Sequence, residues 1–401
     1  MKNIFPFLIC LIIGFIGCST PRLNDDSLLT IDIEKAFNNA GDILLSGFVE
    51  EIEYIPLETL RECVIGDWLR VFATNDYIIA IAFRQNYLFD RKTGRFIREI
   101  GKRGQGPNEY MATHIAAPFD ENRKTIRSRG FRRNDLEYDL EGNVVRKISY
   151  PNELPYNWWL IAFDENRFIM YKKNQKGNEP YKLYLFDQKG NVINRFPNHH
   201  SFIANRNSSY GDCVFYKWKN EAFFYENCVD TLFKVNENEL TPYYRFQLGK
   251  YNPPYSEKQN LPWPSEKPMR NRYIDFETIN ESDRFLFFAF SHDKKDLKRR
   301  NGIPYNFGFY DKETGIARIS EIDYTERSPI INDVDDFAPI YPFLWSINQS
   351  GELIAYMEAD EIIEWFEDNP EKAKKLPKHL QELSKLKIGD NQVVVIAKLK
   401  K

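Results

Sequence analysis

Apolar residues along this chain come in short bursts, each ended by polar residues and a turn former. Four segments share one pattern: Tyr87-Leu88-Phe89-Asp90-Arg91-Lys92-Thr93-Gly94, Leu136-Glu137-Tyr138-Asp139-Leu140-Glu141-Gly142, Tyr184-Leu185-Phe186-Asp187-Gln188-Lys189-Gly190 and Gly308-Phe309-Tyr310-Asp311-Lys312-Glu313-Thr314-Gly315. In each, an aromatic-rich strand runs into Asp, a few mostly polar residues, Gly and a further apolar strand. Asp accepts hydrogen bonds from backbone amides two residues on, and Gly adopts positive φ without steric cost, so each segment predicts a β-hairpin turn. Thr231-Leu232-Phe233-Lys234-Val235-Asn236-Glu237-Asn238 is a degenerate fifth copy. The first three aspartates stand 49 and 48 residues apart, Asn236 follows after 49 more, and Asp311 after a gap of 75. One or two further strand patterns precede each copy, as at 77–83, 158–163 with 167–171, 214–218 with 222–225, and 284–290. Four short strands per unit of roughly 50 residues is the period of a β-propeller blade. No helical pattern separates the strands, which disfavours a parallel α/β sheet.

Five blades are visible in this way, and a sixth is assembled from the two ends of the chain. Residues 342–347, 353–357 and 393–399 supply three strands, and 48–57 the outer fourth. Such closure removes the free edges that a linear array of blades would leave. Two stretches break the pattern. Residues 250–268 hold Pro253, Pro254, Pro262, Pro264 and Pro268, and predict a surface excursion, since proline has no place in a central strand. Residues 360–387 space their apolar positions helically: Ile362, Ile363, Trp365 and Phe366, then Leu376, Leu380, Leu383 and Leu386. Pro370 and Pro377 divide them into short helices inserted in the last blade. The expected fold is all-β: a six-bladed β-propeller of four-stranded antiparallel blades over residues 29–401, with no second domain.

The N-terminus has a different character. Residues 4–16 form an apolar run of 13, too short to cross a hydrocarbon core of about 30 Å as a helix, and of a length that suits the h-region of a secretion signal. The run ends Phe15-Ile16-Gly17-Cys18, which resembles the lipobox of bacterial lipoproteins, whose cysteine is acylated and becomes the new N-terminus. Residues 1–17 therefore read as a signal peptide and 18–28 as a tether, with Cys18 holding the chain to a membrane. Position 19 is Ser rather than the Asp associated with inner-membrane retention, so the resemblance leans to the outer membrane. At about 0.8 kcal/mol per buried CH₂, several acyl chains make such an anchor effectively permanent.

Composition adds to this picture. Phe (31), Tyr (23) and Trp (7) make up 15% of the 401 residues, which favours strands. Lys and Arg (55) nearly balance Asp and Glu (58), so no nucleic-acid partner is expected: a duplex binder needs a basic excess. Beyond Cys10 and Cys18 the cysteines are Cys63, Cys213 and Cys228, without a C-x-x-C pair or a histidine at ligand spacing, so neither a zinc site nor another cofactor is expected. A hairpin centred between Asn220 and Glu221 would set Cys213 opposite Cys228, within disulfide range. Residues 123–133 carry six basic side chains; they could meet an anionic glycan or lipid headgroup, but a solvated outer face of the second blade, balanced by Asp333, Asp335 and Asp336, is the simpler reading. Gly101-x-x-Gly104-x-Gly106 leads into Pro107, which fits a wide turn between blades rather than a phosphate cradle. The candidates for a ligand-facing surface are Arg103 and His114, which flank that turn, and Trp158; successive residues point to opposite faces of a strand, so at most one of Trp158 and Trp159 faces a ligand. No nucleophile elbow or calcium loop is present, so no catalytic residue is assigned.

The lipobox, the run Ile100-Gly101-Lys102-Arg103-Gly104-Gln105-Gly106-Pro107-Asn108-Glu109-Tyr110, Asp230-Thr231-Leu232-Phe233 and the closing Asp390-Asn391-Gln392-Val393-Val394-Val395 together resemble a family of bacterial envelope lipoproteins. These are six-bladed β-propellers related in shape to the NHL-repeat propellers, and the resemblance covers essentially the whole mature chain. Two departures are Asn391-Gln392 where the family has Asn-Pro, and Gly106-Pro107-Asn108-Glu109 where it has Gly-Pro-Gly-Glu. The lipobox resemblance implies an anchored protein of the outer membrane, and a monomer is expected. A rigid ring with loops converging at one mouth suits a binding or scaffolding module, with a glycan or an envelope protein as partner. The alternative is a propeller enzyme, a lyase or glycoside hydrolase, acting on glycans or peptides. Radiolabelled fatty acid should enter the protein and be absent from Cys18→Ser; equal labelling of both would refute lipidation at Cys18.

Overall fold

A computed structural model describes residues 28–66, 69–113, 119–155, 159–203, 213–257, 273–292, 306–321, 330–340 and 346–401. Six small antiparallel sheets stand in a ring as the blades of a propeller. Blade 1 comprises Arg70–Ala73, Tyr77–Ile81, Asn86–Asp90 and Phe96–Glu99. In blade 2, Ala112–Thr113 and Phe119–Asp120 both pair with Thr125–Arg129, followed by Asn134–Asp139 and Val144–Ser149. Blade 3 comprises Leu160–Ala162, Arg167–Tyr171, Tyr181–Asp187 and Val192–Pro197; blade 4, Cys213–Trp218, Glu221–Glu226, Thr231–Val235 and Leu240–Gln247; blade 5, Asp275–Glu281, Phe285–Ser291, Asn306–Asp311 and Ile316–Ile319.

Blade 6 is built from both ends of the chain. Ser346–Ile347, Glu352–Met357 and Val393–Leu399 are joined by Val49–Pro56, which pairs antiparallel with the last of them from Val393↔Pro56 to Leu399↔Val49. The helical insertion is also present: Ala359–Asp368, Pro370–Ala373 and Lys378–Gln381, then a 3₁₀ turn at Glu382–Lys385. Leu376, Leu380 and Leu383 bury against blade 6 and Trp365 and Phe366 close on Phe337, so the apolar stripe in the sequence is a packing face.

Each sheet is covered on both sides by its neighbours, and this explains why the middle strands are apolar without alternation. In Tyr77–Ile81, Ile78 and Ala80 pack towards blade 6 while Ile79 and Ile81 pack towards blade 2. Six apolar clusters result, one per pair of adjacent blades. Blades 5 and 6 meet through Phe48, Phe285, Phe287, Phe307 and Phe309, with ring centroids 5.2–6.3 Å from Phe48. Fully burying one such side chain contributes about 1.5–3 kcal/mol, so these interfaces dominate the stability of the ring. The aromatic content noted in the sequence is largely spent here.

The Asp-x-x-Gly turns work as their chemistry predicts. Asp90 Oδ1 accepts from the Thr93 amide at 2.9 Å, and Asp139 and Asp187 accept from the amides of Asn143 (2.7 Å) and Asn191 (2.9 Å). Gly94 has φ +66°, and a Cβ there would stand 2.0 Å from the Pro56 carbonyl oxygen. Two features depart from expectation. Thr30–Asp32 adds a parallel fifth strand to the rim of blade 4, and Ile33–Asn38 forms a helix behind it, so the N-terminal segment is a belt rather than a loose lead-in. The hairpin of blade 4 turns at Lys219-Asn220, both at positive φ, not at Asn220-Glu221. Asn tolerates the left-handed conformation needed inside the turn, whereas Glu221 extends to pair with Trp218. Cys213 consequently faces Glu226, and Cys228 lies beyond the strand end at φ +75°; both are buried thiols, and the direct opposition that motivated a disulfide is not present.

Deleting residues 393–401 removes the strand that joins the two ends of the chain. The truncated protein should elute as aggregate on size exclusion; a soluble product melting at the same temperature would refute closure of the ring through blade 6.

Candidate functional site

The first strand of each blade runs along the propeller axis, and together these strands enclose a cavity of about 830 Å³. Its wall draws on all six blades: Arg70 and Phe72, Asp120 and Arg123, Trp159 and Ile161, Phe215 and Lys217, Thr278 and Asn280, Ser346 and Ile347. The local pattern sets these directions. In Arg70-Val71-Phe72-Ala73 the alternate residues Val71 and Ala73 bury against blade 6, which turns Arg70 and Phe72 to the blade 2 side, where both line the cavity and Phe72 also packs on the core between blades 1 and 2. Phe72 meets Phe119 of blade 2 at 5.6 Å between centroids, so this side of the wall is aromatic.

One end of the channel is closed. Asn122, Asn220 and Gln349 sit in the hairpins after the first strands of blades 2, 4 and 6, and their side-chain amides meet: Asn122 bonds to Asn220 and to Gln349. These contacts skip the intervening blades, so they cross the axis. The Gln349 backbone N–H donates to the Glu121 carboxylate at 2.9 Å, and burial pushes that carboxyl above its ordinary range. The cavity is therefore a cup with a polar floor.

Charge in the wall is uneven. Among the described residues it holds nine basic and six acidic side chains, against a chain with net charge −3. Most of the basic groups have acids. Arg123 pairs with Asp120 (3.2 Å) and Glu137 (2.7 Å), Arg127 with Asp135 (3.2 Å), Arg284 with Asp311 (3.0 Å) and Lys219 with Asp283 (2.9 Å). Arg70 and Lys217 differ. The Arg70 Nε is buried and has no hydrogen-bond partner among the described residues, and desolvation pushes the guanidinium down to about 10. Lys217 is exposed to the cavity, and partial desolvation there lowers its ammonium, with Asp120 and Asp164 opposing and Arg123 reinforcing the shift.

The basic run at 123–133 is solvated only at Lys124, Arg132 and Arg133, and its centre is not an outer face. Thr125–Arg129 is the second strand of blade 2 and is buried throughout. Arg127 stands opposite Glu137 and Arg129 opposite Asp135, so the balancing acids come from the next strand and not from Asp333, Asp335 or Asp336. Asp333 instead caps Ser46, and Asp335 accepts from Asn332. The signal was in the sequence: those two pairs are symmetric about Arg132, as antiparallel partners must be. Glu137 also accepts from Thr125 at 2.5 Å and bonds to Arg146, so its burial is fully compensated.

Of the residues picked from sequence, Arg103 is exposed in the connection between blades 1 and 2, bridged through its backbone to Tyr110, with its Nε donating to the Met111 carbonyl at 3.3 Å. It is not in the cavity wall. Cys18, His114 and Trp158 lie outside the described residues. Trp159 is in the wall. Arg70 and Lys217 were missed; the available signal was a basic residue at an alternate position of an otherwise apolar innermost strand.

A closed ring of six antiparallel blades around an axial cup defines the class: a six-bladed β-propeller with a central cavity. The family model for the domain of unknown function DUF4934 matches residues 28–398, and the chain belongs to that family. No curated protein matches the sequence. Among solved structures, it is similar to an inferred exported protein of Bacteroides fragilis NCTC 9343, with 16% identity, a TM-score of 0.63, and 93% of this chain and 99% of that one covered. It is also similar to a member of the DUF4221 family from Bacteroides vulgatus ATCC 8482, with 10% identity, a TM-score of 0.52, and 88% and 97% covered. At these identities the likeness shows the fold.

Because the folded protein lowers the pKa of Lys217, the unfolded chain binds more protons between that lowered value and about 10.4. The Lys217 contribution to stability should therefore rise with pH through this window. Buried tyrosines with raised pKa values impose an opposite slope common to both proteins, so the readout is the difference: between about pH 8 and 10.5 the urea midpoint of the wild type should gain on that of Lys217→Met, and parallel profiles would refute the desolvation of Lys217.

Proposed function

We propose that this protein is an exported lipoprotein, cleaved after residue 17, anchored through Cys18 by a tether at 18–28 to the outer membrane, and acting as a binding module. The observation that carries the binding reading is the axial cup. It has the volume of a small-ligand site, about 300–1,000 Å³ in general, and combines aromatic walls with a few convergent polar groups. Its wall belongs to six separate strands held by ring closure, so the site is preformed and costs little ordering on binding. The lipobox and the export inferred for the B. fragilis relative support the envelope location. The kinship in shape with NHL-repeat propellers, also ring-closed modules, fits the same role.

A panel of envelope-derived oligosaccharides and peptides, screened by calorimetry against the detergent-solubilised protein, should yield a ligand. Thr278→Trp, which fills the cup from blade 5, should weaken that ligand at least tenfold, while Ile193→Trp on the outer rim should leave it unchanged. Undiminished binding by the Thr278 variant would place the ligand elsewhere and defeat this reading.

A further inference from the structure

The cup contains a feature that folding does not explain. Five of the basic side chains in its wall have an acid: Arg123, Arg127, Lys219, Arg284 and, at 3.4 Å from Glu50, Lys398. Arg70 has none among the described residues, and no charged neighbour offsets its desolvation. Arg70 is half-buried, with its Nε fully covered, and a cation so placed costs stability unless something pairs with it. Yet the position is an ordinary first-strand site, flanked by Leu69 and Val71 in the apolar core, where an aliphatic side chain would fit the pattern. A guanidinium held bare in a cavity is pre-organised for an anion, and its planar fork of donors matches an oxyanion better than any point-charge partner.

We propose that the cup binds a ligand carrying an oxyanion group, a carboxylate or a phosphate, which Arg70 grips. The proposal rests on the reading of the cup as a ligand site and specifies its chemistry. The ligand's body lies against Phe72, Phe119, Trp159 and Phe215, whose rings offer apolar faces beside the guanidinium. Lys217 supplies a second cationic contact. It stands three blades away across the axis and nearer the amide floor: register places the hairpin after Arg70 at Asn75-Asp76 and that after Lys217 at Lys219-Asn220. At about 3.3 Å per residue, the two cations are staggered by roughly 10 Å along the channel. The ligand is thus elongated, with one acid group at Arg70 and a second acid or acceptor at Lys217.

The test uses the full-length protein in detergent and four probes: digalacturonate, its neutral dimethyl ester, glucose 6-phosphate and inorganic phosphate. At least one of the acid probes should raise the melting temperature and bind at least tenfold tighter than the ester. A preference for digalacturonate assigns the site to carboxylates, and a preference for either phosphate probe to phosphates. Arg70→Met should weaken the acid probe at least tenfold, and Arg70→Lys less. Without ligand, Arg70→Met should melt at the same temperature as the wild type or a few degrees higher, because a half-buried, unpaired charge has been removed. A lower melting point for that variant, affinity for the acid probe unchanged by it, or no stabilisation by any acid probe would each overturn the proposal. If the ester binds as well as the acid and Thr278→Trp abolishes both, the cup remains a ligand site and the assignment of Arg70 fails.

Discussion

Everything in this molecule depends on a strand pair that joins its two ends. Val49–Pro56 and Val393–Leu399 are separated by most of the chain, yet their pairing completes the sheet of blade 6 and so fixes the positions of all six blades. A blade alone is a small sheet with two apolar faces, and it is stable only when a neighbour covers each. Opening the ring would uncover the Ile354, Val394 and Ile396 face of blade 6 and the Val71, Ile78 and Ala80 face of blade 1 together. The same seam carries Arg91 from blade 1, bidentate to Glu352 of blade 6 at 2.8 and 2.9 Å, which holds that carboxyl below its usual range. A half-buried bidentate pair of this kind adds direction to an otherwise non-directional apolar contact.

The axial cup follows from that closure. Six first strands around one axis cannot fill the space between them, because their inter-blade side chains point sideways and every other residue points inward. What points inward is then free of the packing demand that governs the blades. This is why polar residues such as Arg70, Lys217 and Asn280 gather there, while Phe72 and Phe215 line the cavity and also pack on the cores between blades. The amide contacts of Asn122 with Asn220 and Gln349 are tolerated for the same reason: on the axis, three blades reach one point, and short polar side chains satisfy one another there.

Buried charge is handled in two ways, and the contrast locates the site. Between blades 2 and 3, Arg127 and Arg129 face Asp135 and Glu137 across a hairpin, with Tyr150 donating to Asp135 at 2.5 Å and Arg127 reaching the Leu160 carbonyl at 2.6 Å. Between blades 3 and 4, Glu226 accepts from Lys182 at 2.7 Å and from Tyr171 at 3.2 Å. These groups are compensated within the fold and serve its specificity. In the cup, Arg70 has no such partner among the described residues, which is the property expected of a group kept for an external ligand.

The blade count, the turns at Asp90, Asp139, Asp187 and Asp311, the closure by the chain ends and the helical insertion were legible in the sequence, because each is a local pattern with a local cause: turn chemistry, strand composition or helical spacing. Even the charge pairing of Thr125–Arg129 was encoded in hairpin symmetry about Arg132, although it reads on the surface as a solvated basic run. The blade 4 register was not legible, since a shift of the turn from Asn220-Glu221 to Lys219-Asn220 turns on one backbone conformation and displaces Cys213 from Cys228. The belt at Thr30–Asp32 was hidden too, because a three-residue parallel strand has no periodicity of its own. Above all, the sequence could not reveal that Arg70 and Lys217 share a cavity. They are distant along the chain, and no local interaction links them; only the radius of a closed six-blade ring brings two such side chains to face one space.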